Sequence, residues 1–239
     1  MGRNNLPHLP KAEHVGSNSM TNSLIIEKAI EEIENKAFGA TEQFLEIHKI
    51  VYNDNKPRIA RVDTDKDDEA IVYFNIENEK FFLAVYIDTK PNVSVRWIDT
   101  EPYHSVYLRA SSGLFSLEEL AGLTKLAFTR GTNKGDKKCS ANGKEILWKH
   151  STIDFEPNPE ADEFEDKLNK LLDYLEEDEE GVEKLVNKAD YCCIHVYSSF
   201  HNGNTLIGGH HLERNQIKQM GNLNLEIDFD ISADGNFFM

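Results

Sequence analysis

Apolar residues recur every three or four positions near the start of the chain. Leu24, Ile25, Ala29 and Ile33 follow this spacing, and Gly39 lies just past the last apolar position. A helix that buries one face has this period, and glycine often follows a helix end. The pattern therefore predicts one amphipathic helix from residue 22 onward.

The pattern then changes to short runs of β-branched and aromatic residues separated by polar clusters such as 53–55 and 77–79. Runs of this length with turn residues between them are typical of strands joined by tight connections. We predict a meander of antiparallel strands. The runs are 44–52, 58–63, 70–76, 80–88, 93–98 and 105–109.

Ser116, followed three residues later by Glu119, predicts the start of a helix. Gly122 is placed to end it. Serine followed by glutamate at this spacing is a capping box. The short helix marks our predicted boundary between two subdomains.

The second half predicts two strands, at 123–129 and at 145–155 around Trp148, joined by a polar Gly/Lys loop over 130–144. Phe164, Leu168, Leu171 and Leu175 then fall on one helical face, and residues 182–186 continue it as a second helix. A strand, a short helix and a strand that alternates apolar and acidic residues complete the pattern, at 189–199, 211–220 and 223–231.

These elements indicate an α+β fold with two subdomains, each a largely antiparallel sheet packed against helices. Strand runs followed by helix pairs favour this class over repeated βαβ units. We assign residues 22–122 to the first subdomain and 123–239 to the second. Residues 1–21 carry no apolar periodicity and are interpreted as a disordered leader or tag.

The composition of the chain disfavours some classes of partner. Asp and Glu total 42 against 26 Lys and Arg, for a formal net charge of −16. A nucleic-acid partner is disfavoured because its binding requires a dense cationic surface. No apolar run approaches the roughly 20 residues that span a bilayer, so no membrane association is expected. Three cysteines are an odd count, and neighbours on one strand point to opposite faces, so a reducing cytoplasm is the simplest interpretation.

Two clusters have metal-ligand side chains, but neither has the required spacing. The run at 63–69 begins like a calcium-binding loop, yet Asp68 stands where glycine is needed and Phe74 where a bidentate glutamate is needed. We interpret it as a hairpin turn. Cys192, Cys193 and the nearby histidines lack a recognised zinc spacing. No metal or cofactor is expected.

Spaced residues of the second half resemble the bacterial family of unknown function DUF4279. They are the run 126–136, Trp148, the strand around 191–197, Leu212 with Glu213, Ile217, and Ile227 with Asp228. The resemblance covers roughly residues 123–236 and implies the fold of that family, with no established activity or catalytic residues. The size and gene context of such members are similar to those of small cytoplasmic proteins of toxin and immunity loci.

Arg130, Lys134 and Lys137 form a local basic patch among glycines and are a possible anion-binding loop. The segment lacks the P-loop spacing, and a solvated connection between strands is the simpler interpretation. The aromatic residues Trp97, Trp148, Tyr103 and Tyr107 are expected to pack in the core or on a sheet face.

An enzyme is one alternative function. Asp228 and Asp230 share a strand face by alternation, and Glu213 and His210 are nearby in sequence. Such carboxylates and a histidine would suit a hydrolase or a metal-binding enzyme. A structural or oligomeric role is a second alternative.

The segment 154–183 carries fourteen acidic residues. Most such runs are solvated faces, but an acidic surface can also steer a basic partner. We favour a non-enzymatic, acidic protein-binding module of the immunity type, which occludes a bacterial toxin or effector. Its expected contact surface is Glu176, Glu177, Asp178, Glu179 and Glu180.

Overall fold

The structure, a computed structural model, describes residues 15–139, 142–203 and 209–237. Its helices are α1 (Val15–Asn35), α2 (Gly39–Ile47), α3 (Leu117–Ala121), α4 (Phe164–Glu176), α5 (Glu179–Lys188) and α6 (Arg214–Asn222). Its strands are β1 (Tyr52–Asn53), β2 (Lys56–Pro57), β3 (Ile59–Asp63), β4 (Glu69–Asn75), β5 (Phe82–Asp88), β6 (Ser94–Glu101), β7 (Tyr103–Ser112), β8 (Arg130–Thr132), β9 (Lys137–Cys139), β10 (Glu145–Leu147), β11 (Ser151–Phe155), β12 (Tyr191–His201) and β13 (Glu226–Asp234). The predicted α+β class is confirmed.

The predicted leader only partly falls on described residues. Residues 1–14 lie outside them, whereas residues 15–21 belong to α1. The helix therefore begins before residue 22, where apolar periodicity first gave a signal.

The first sheet is antiparallel, with the strand order β3-β4-β5-β6. Helices α1 and α2 pack on one of its faces, where Ile25, Phe44, Val72 and Val85 are buried together. The strand predicted over 44–52 is wrong at 44–47, which complete α2. A short apolar run does not by itself distinguish helix from strand.

The acidic run at 63–69 is a hairpin turn, as predicted. Strand β3 ends at Asp63, β4 begins at Glu69, and the two strands pair antiparallel. Within the turn, the Arg61 guanidinium lies 3.2 Å from a carboxylate oxygen of Asp63 and 3.0 Å from one of Asp65.

The second sheet has the order β13-β12-β7-β11-β8, with β7 at its centre. Strand β7 is antiparallel to both neighbours, and β13 is parallel to β12. The boundary predicted at residue 122 therefore does not separate the two sheets, because β7 precedes it. The break lies at Pro102, between β6 and β7, where the missing N–H interrupts a strand.

The predictions for 123–147 need correction. Residues 123–129 form no strand, and β8 begins only at Arg130 and pairs with β11. The predicted Gly/Lys loop includes β9, which forms a hairpin with β10. Leu126 is nevertheless buried in the core, so the apolar character of this segment reflects packing and not strand pairing.

Helices α3, α4 and α5 pack with the second sheet on one face. Leu108, Ile153 and Ile194 of the sheet form a common core with Leu171 and Leu185 of the helices. The predicted helix pair is confirmed as α4 and α5, and the capping box of Ser116 and Glu119 is present at α3. Helix α6 connects β12 to the parallel β13.

The two sheets meet through buried polar contacts. Asp162, which precedes α4, has a fully buried carboxylate that lies 2.6 Å from Arg61 of β3 and 2.8 Å from Lys170 of α4. At a second contact, the Nε2 atoms of His48 and His201 are 2.9 Å apart. Phe44 and Phe81 pack against both imidazole rings.

Within the described ranges, no helix has the length and apolar character needed to cross a bilayer.

Replacing Arg61 by Met is expected to lower the free energy of unfolding by about 3 kcal/mol, because it leaves a buried carboxylate short of a partner. Urea denaturation would measure the loss. Arg58→Met is the matched control, since Arg58 is exposed, and we expect it to change stability by less than about 0.5 kcal/mol. Equal losses in the two variants would contradict a specific role for the Arg61–Asp162 contact.

Candidate functional site

The acidic residues predicted to contact a partner lie where α4 ends and α5 begins. Glu176, Glu177, Glu179 and Glu180 are exposed. Asp178 differs from them because it is only 8% exposed. Four of the five predicted residues are thus available at the surface.

Asp178 holds the α4–α5 turn to the segment before β8. One carboxylate oxygen accepts hydrogen bonds from the Lys125 backbone N–H at 2.6 Å and from the Thr124 hydroxyl at 2.7 Å. These two hydrogen bonds lower the pKa of Asp178. The carboxylate of Asp178 is thus engaged within the chain, unlike those of its four exposed neighbours.

The predicted anion-binding loop does not bring its three basic residues together. Lys134 donates through Nζ to the carbonyl of Gly113 at 2.5 Å, and Lys137 forms an ion pair with Glu145 at 3.1 Å. Arg130 lies on β8 and faces other partners. Because each cation is engaged at a different place, the three residues do not form one anion site.

The residues of the enzyme alternative lie on two sides of the second sheet. Asp228 and Asp230 stand opposite His195 and Tyr197 in the β12–β13 register, which confirms that the two carboxylates share a face. His210 stacks on Phe229, whose alternation places it on the other face, with ring centroids 5.0 Å apart. Glu213 is in the capping box of α6. These residues do not converge on one reaction centre.

The cysteines and histidines of the second half are also dispersed. Cys192 is on the helix-covered side of β12, whereas Cys193 and His195 point to the opposite side. In the described part of the chain, no group of three or more His, Cys, Asp or Glu side chains is arranged to hold a metal ion.

A different set of residues comes together on the side of the second sheet turned away from α3, α4 and α5. We call this side the open face. It carries Tyr107, Arg109, Arg130, Thr152, Asp154, Tyr191, His195, Asp228 and Asp230, which alternate with core residues along their strands. Tyr103 and Tyr197 border it beside the first sheet, where Lys80 lies over the Tyr197 ring.

Tyr107 lies at the centre of the open face. The His195 ring is nearly parallel to it, with centroids 5.4 Å apart. The guanidinium carbons of Arg109 and Arg130 are 5.0 and 5.2 Å from its ring centroid. Cation–π and stacking contacts therefore hold three strands' side chains around one tyrosine.

Two buried carboxylates fix the arginines. Arg109 donates to both oxygens of Asp154, at 2.7 and 2.8 Å, in a bidentate ion pair. Arg130 lies 3.5 Å from Asp154 and 3.2 Å from Glu156. The Ser105 hydroxyl donates to Glu156 at 2.6 Å. The two cations and two anions balance, so the centre of the open face is close to neutral.

His195 shares a hydrogen bond with Tyr191 on this face. Its Nε2 atom is 2.9 Å from the Tyr191 hydroxyl. Burial, and next the positive charge of Arg109, lower the pKa of His195, while Asp228 acts in the opposite direction. The ring is therefore neutral near pH 7, and its tautomer decides which of the two groups donates.

A cavity of about 320 Å³ opens beside the arginines. Its lining includes Arg109, Arg130, Thr152 and Trp148. Trp148 also has a cation over its ring, because Lys138 Nζ lies 3.6 Å from the indole centroid. The cavity therefore lies next to aromatic and cationic side chains, and hydroxyl groups of β8 and β11 also line it.

Sequence reasoning missed the open face as a site. It treated Trp148 and Tyr107 as packing residues and did not single out Arg109. A signal was present in β7, where Tyr103, Ser105, Tyr107, Arg109 and Ser111 alternate with buried residues. Polar and aromatic residues at every second position predict a strand face that is not fully covered.

Substituting Asp178 by Ala is expected to lower the urea midpoint of unfolding, because the Lys125 N–H and the Thr124 hydroxyl lose their acceptor. Glu177→Ala, one residue away and exposed, should leave the midpoint unchanged. A midpoint that shifts equally in both variants would show that Asp178 has no anchoring role.

Replacing Arg109 by Met is expected to raise the pKa of His195 toward 6.5, since a cation that disfavours the imidazolium is removed and Asp154 loses one of its two cationic partners. A histidine NMR titration measures this. Arg58→Met is the control, because Arg58 lies outside the open face, and it should leave the titration unchanged. A pKa that falls in Arg109→Met would overturn the assigned electrostatics.

Comparison with known proteins concerns mainly the second sheet. The family model described as "Domain of unknown function (DUF4279)" matches residues 101–234, from the end of β6 to the end of β13. No curated protein and no solved structure matches the chain.

Proposed function

This chain belongs to the DUF4279 family, and we propose that it is a non-enzymatic protein-binding module that occludes a partner through the open face. The partner class that we propose is a toxin or effector domain of a bacterial competition locus. The observation that carries the proposal is the arrangement of Arg109, Arg130 and His195 around Tyr107 on the open face, with Trp148 lining the cavity beside the two arginines.

The residue types of the open face support binding to a protein. Tyrosine, tryptophan and arginine are enriched at interfaces and account for most residues whose truncation weakens binding strongly. Tyr191 is 41% exposed, and the Arg130 side chain is 54% exposed. These side chains can therefore lose further exposed area when a partner docks.

The face is also held in one arrangement before any partner binds. Asp154 fixes Arg109 bidentately, and the tyrosine ring lies against both arginines and His195. A partner would spend less free energy on ordering such side chains than on ordering mobile ones. This supports a binding role for the polar side chains of the open face, which the packing of a core does not need.

Charge supports a basic partner. The chain carries a formal charge of −16, and Asp228 and Asp230 are exposed at one border of the open face. Glu176, Glu177, Glu179 and Glu180 add an acidic surface at the α4–α5 turn. Such a field raises the association rate of a cationic partner without requiring contact with every acidic residue.

The test combines a growth assay with matched tryptophan variants. The product of the gene immediately upstream of this chain's gene is expressed in a heterologous bacterium, with and without the chain. We expect toxicity that the chain relieves. In titrations of the purified pair, Trp148→Ala should weaken binding by about 30-fold, corresponding to the roughly 2 kcal/mol of a central aromatic contact.

Trp97→Ala is the matched control. Trp97 is the chain's other tryptophan, is 51% exposed, and lies on β6 of the first sheet. It should retain affinity and growth rescue. Toxicity that the chain does not relieve would contradict the immunity-type role, and equal losses in the two variants would contradict the open face as the interface.

A further inference from the structure

Strand β13 is an edge of the second sheet, and no described strand pairs with its outer side. It stands last in the strand order, and all nine of its residues pair with β12 on one side. Among the described residues, the only other backbone hydrogen bond of β13 runs from Asn202 N–H to the Asp234 carbonyl at 2.7 Å. In a parallel pair, alternate residues turn their N–H and C=O groups away from the neighbouring strand. A row of backbone donors and acceptors is therefore available for pairing.

The two sides of this edge differ in chemistry. Ile227 and Phe229 lie on the side that packs with the helices, and Ile231 continues this row with 55% of its surface exposed. Asp228 and Asp230 are exposed on the open face. An added strand would meet apolar side chains on one side and carboxylates on the other.

The middle of the edge is acidic. Strand β13 contains Glu226, Asp228, Asp230 and Asp234 and no basic residue. Within the described ranges, neither Asp228 nor Asp230 has a cationic side chain within ion-pair distance. Pairing with β13 of a second copy would bring like charges together, which is unfavourable between adjacent strands. A strand with basic residues at alternate positions would be complementary.

We propose that β13 accepts, by strand addition, a partner segment in which basic and apolar residues alternate. Backbone hydrogen bonds to the free edge would supply the pairing, and the alternation would match carboxylates on the open face and Ile231 on the other side. This proposal rests on the protein-binding function and names the chemistry of the partner segment at one border of the same face.

The probe is a capped synthetic peptide, Thr-Lys-Val-Lys-Val-Lys-Val-Lys-Thr, added to the full chain. Amide hydrogen exchange followed by NMR should show new protection at alternate β13 residues, and the peptide should bind saturably. A peptide with the same composition in the order Lys-Lys-Lys-Lys-Thr-Val-Val-Val-Thr should bind about tenfold more weakly, because its charges cannot follow the pleat of a strand.

Two double variants separate the edge from general charge attraction. Asp228→Lys with Asp230→Lys should weaken binding of the alternating peptide about tenfold or more. Asp67→Lys with Asp68→Lys changes the net charge by the same amount at an exposed turn of the first sheet and should retain most of the affinity.

Several results would overturn the proposal. They are absence of binding, equal affinity for the two peptides, equal losses in the two double variants, or protection of β13 in the chain alone that rises with protein concentration. The last would identify a second copy as the occupant. Growth rescue without peptide protection would contradict strand addition at β13 and leave the proposed function standing. Peptide protection without growth rescue would contradict the proposed function and leave strand addition standing.

Discussion

Strand β7 imposes the constraint on which the second half of the molecule depends. It is the central strand of a sheet that helices cover on one side only, so its alternate residues must satisfy two different environments. Val106, Leu108 and Ala110 are buried against the helices. Tyr107 and Arg109 necessarily point the other way, where β8, β11 and β12 bring their own polar side chains beside them. The core and the open face are thus two consequences of one alternating segment.

This geometry explains the distribution of charge. Arg109 and Arg130 are neutralised by Asp154 and Glu156 at the centre of the open face, whereas Asp228 and Asp230 form no ion pair with any described residue at its border. The surface therefore changes from neutral and aromatic to acidic across the width of the sheet. A partner that matched both regions would dock in one orientation, because turning it around would move its cations away from the carboxylates at the border.

The sequence was informative where periodicity is local. The apolar spacing of Leu168, Leu171 and Leu175 predicted α4, and the Ser116 capping box predicted the start of α3. Residues 44–47 were assigned to a strand because a short apolar run fits both periods. The membership of β7 in the second sheet could not be derived from local pattern, since it depends on pairing with β11 and β12 much later in the chain. The open face was missed for the same reason: Tyr107, Arg130 and His195 are brought together only by strand pairing.

The segment that follows β13 contacts the end of helix α2, in the N-terminal half of the chain. The Asn236 side-chain amide donates to the carbonyl of Ile47 at 2.8 Å, next to the His48–His201 contact. Helix α2 is therefore connected to the first sheet along the chain and to the second sheet through these contacts. The segment after β13 thus contacts α2 directly, close to Phe44 of the first core. The two subdomains should therefore lose structure cooperatively, as one unit, although each has a hydrophobic core of its own.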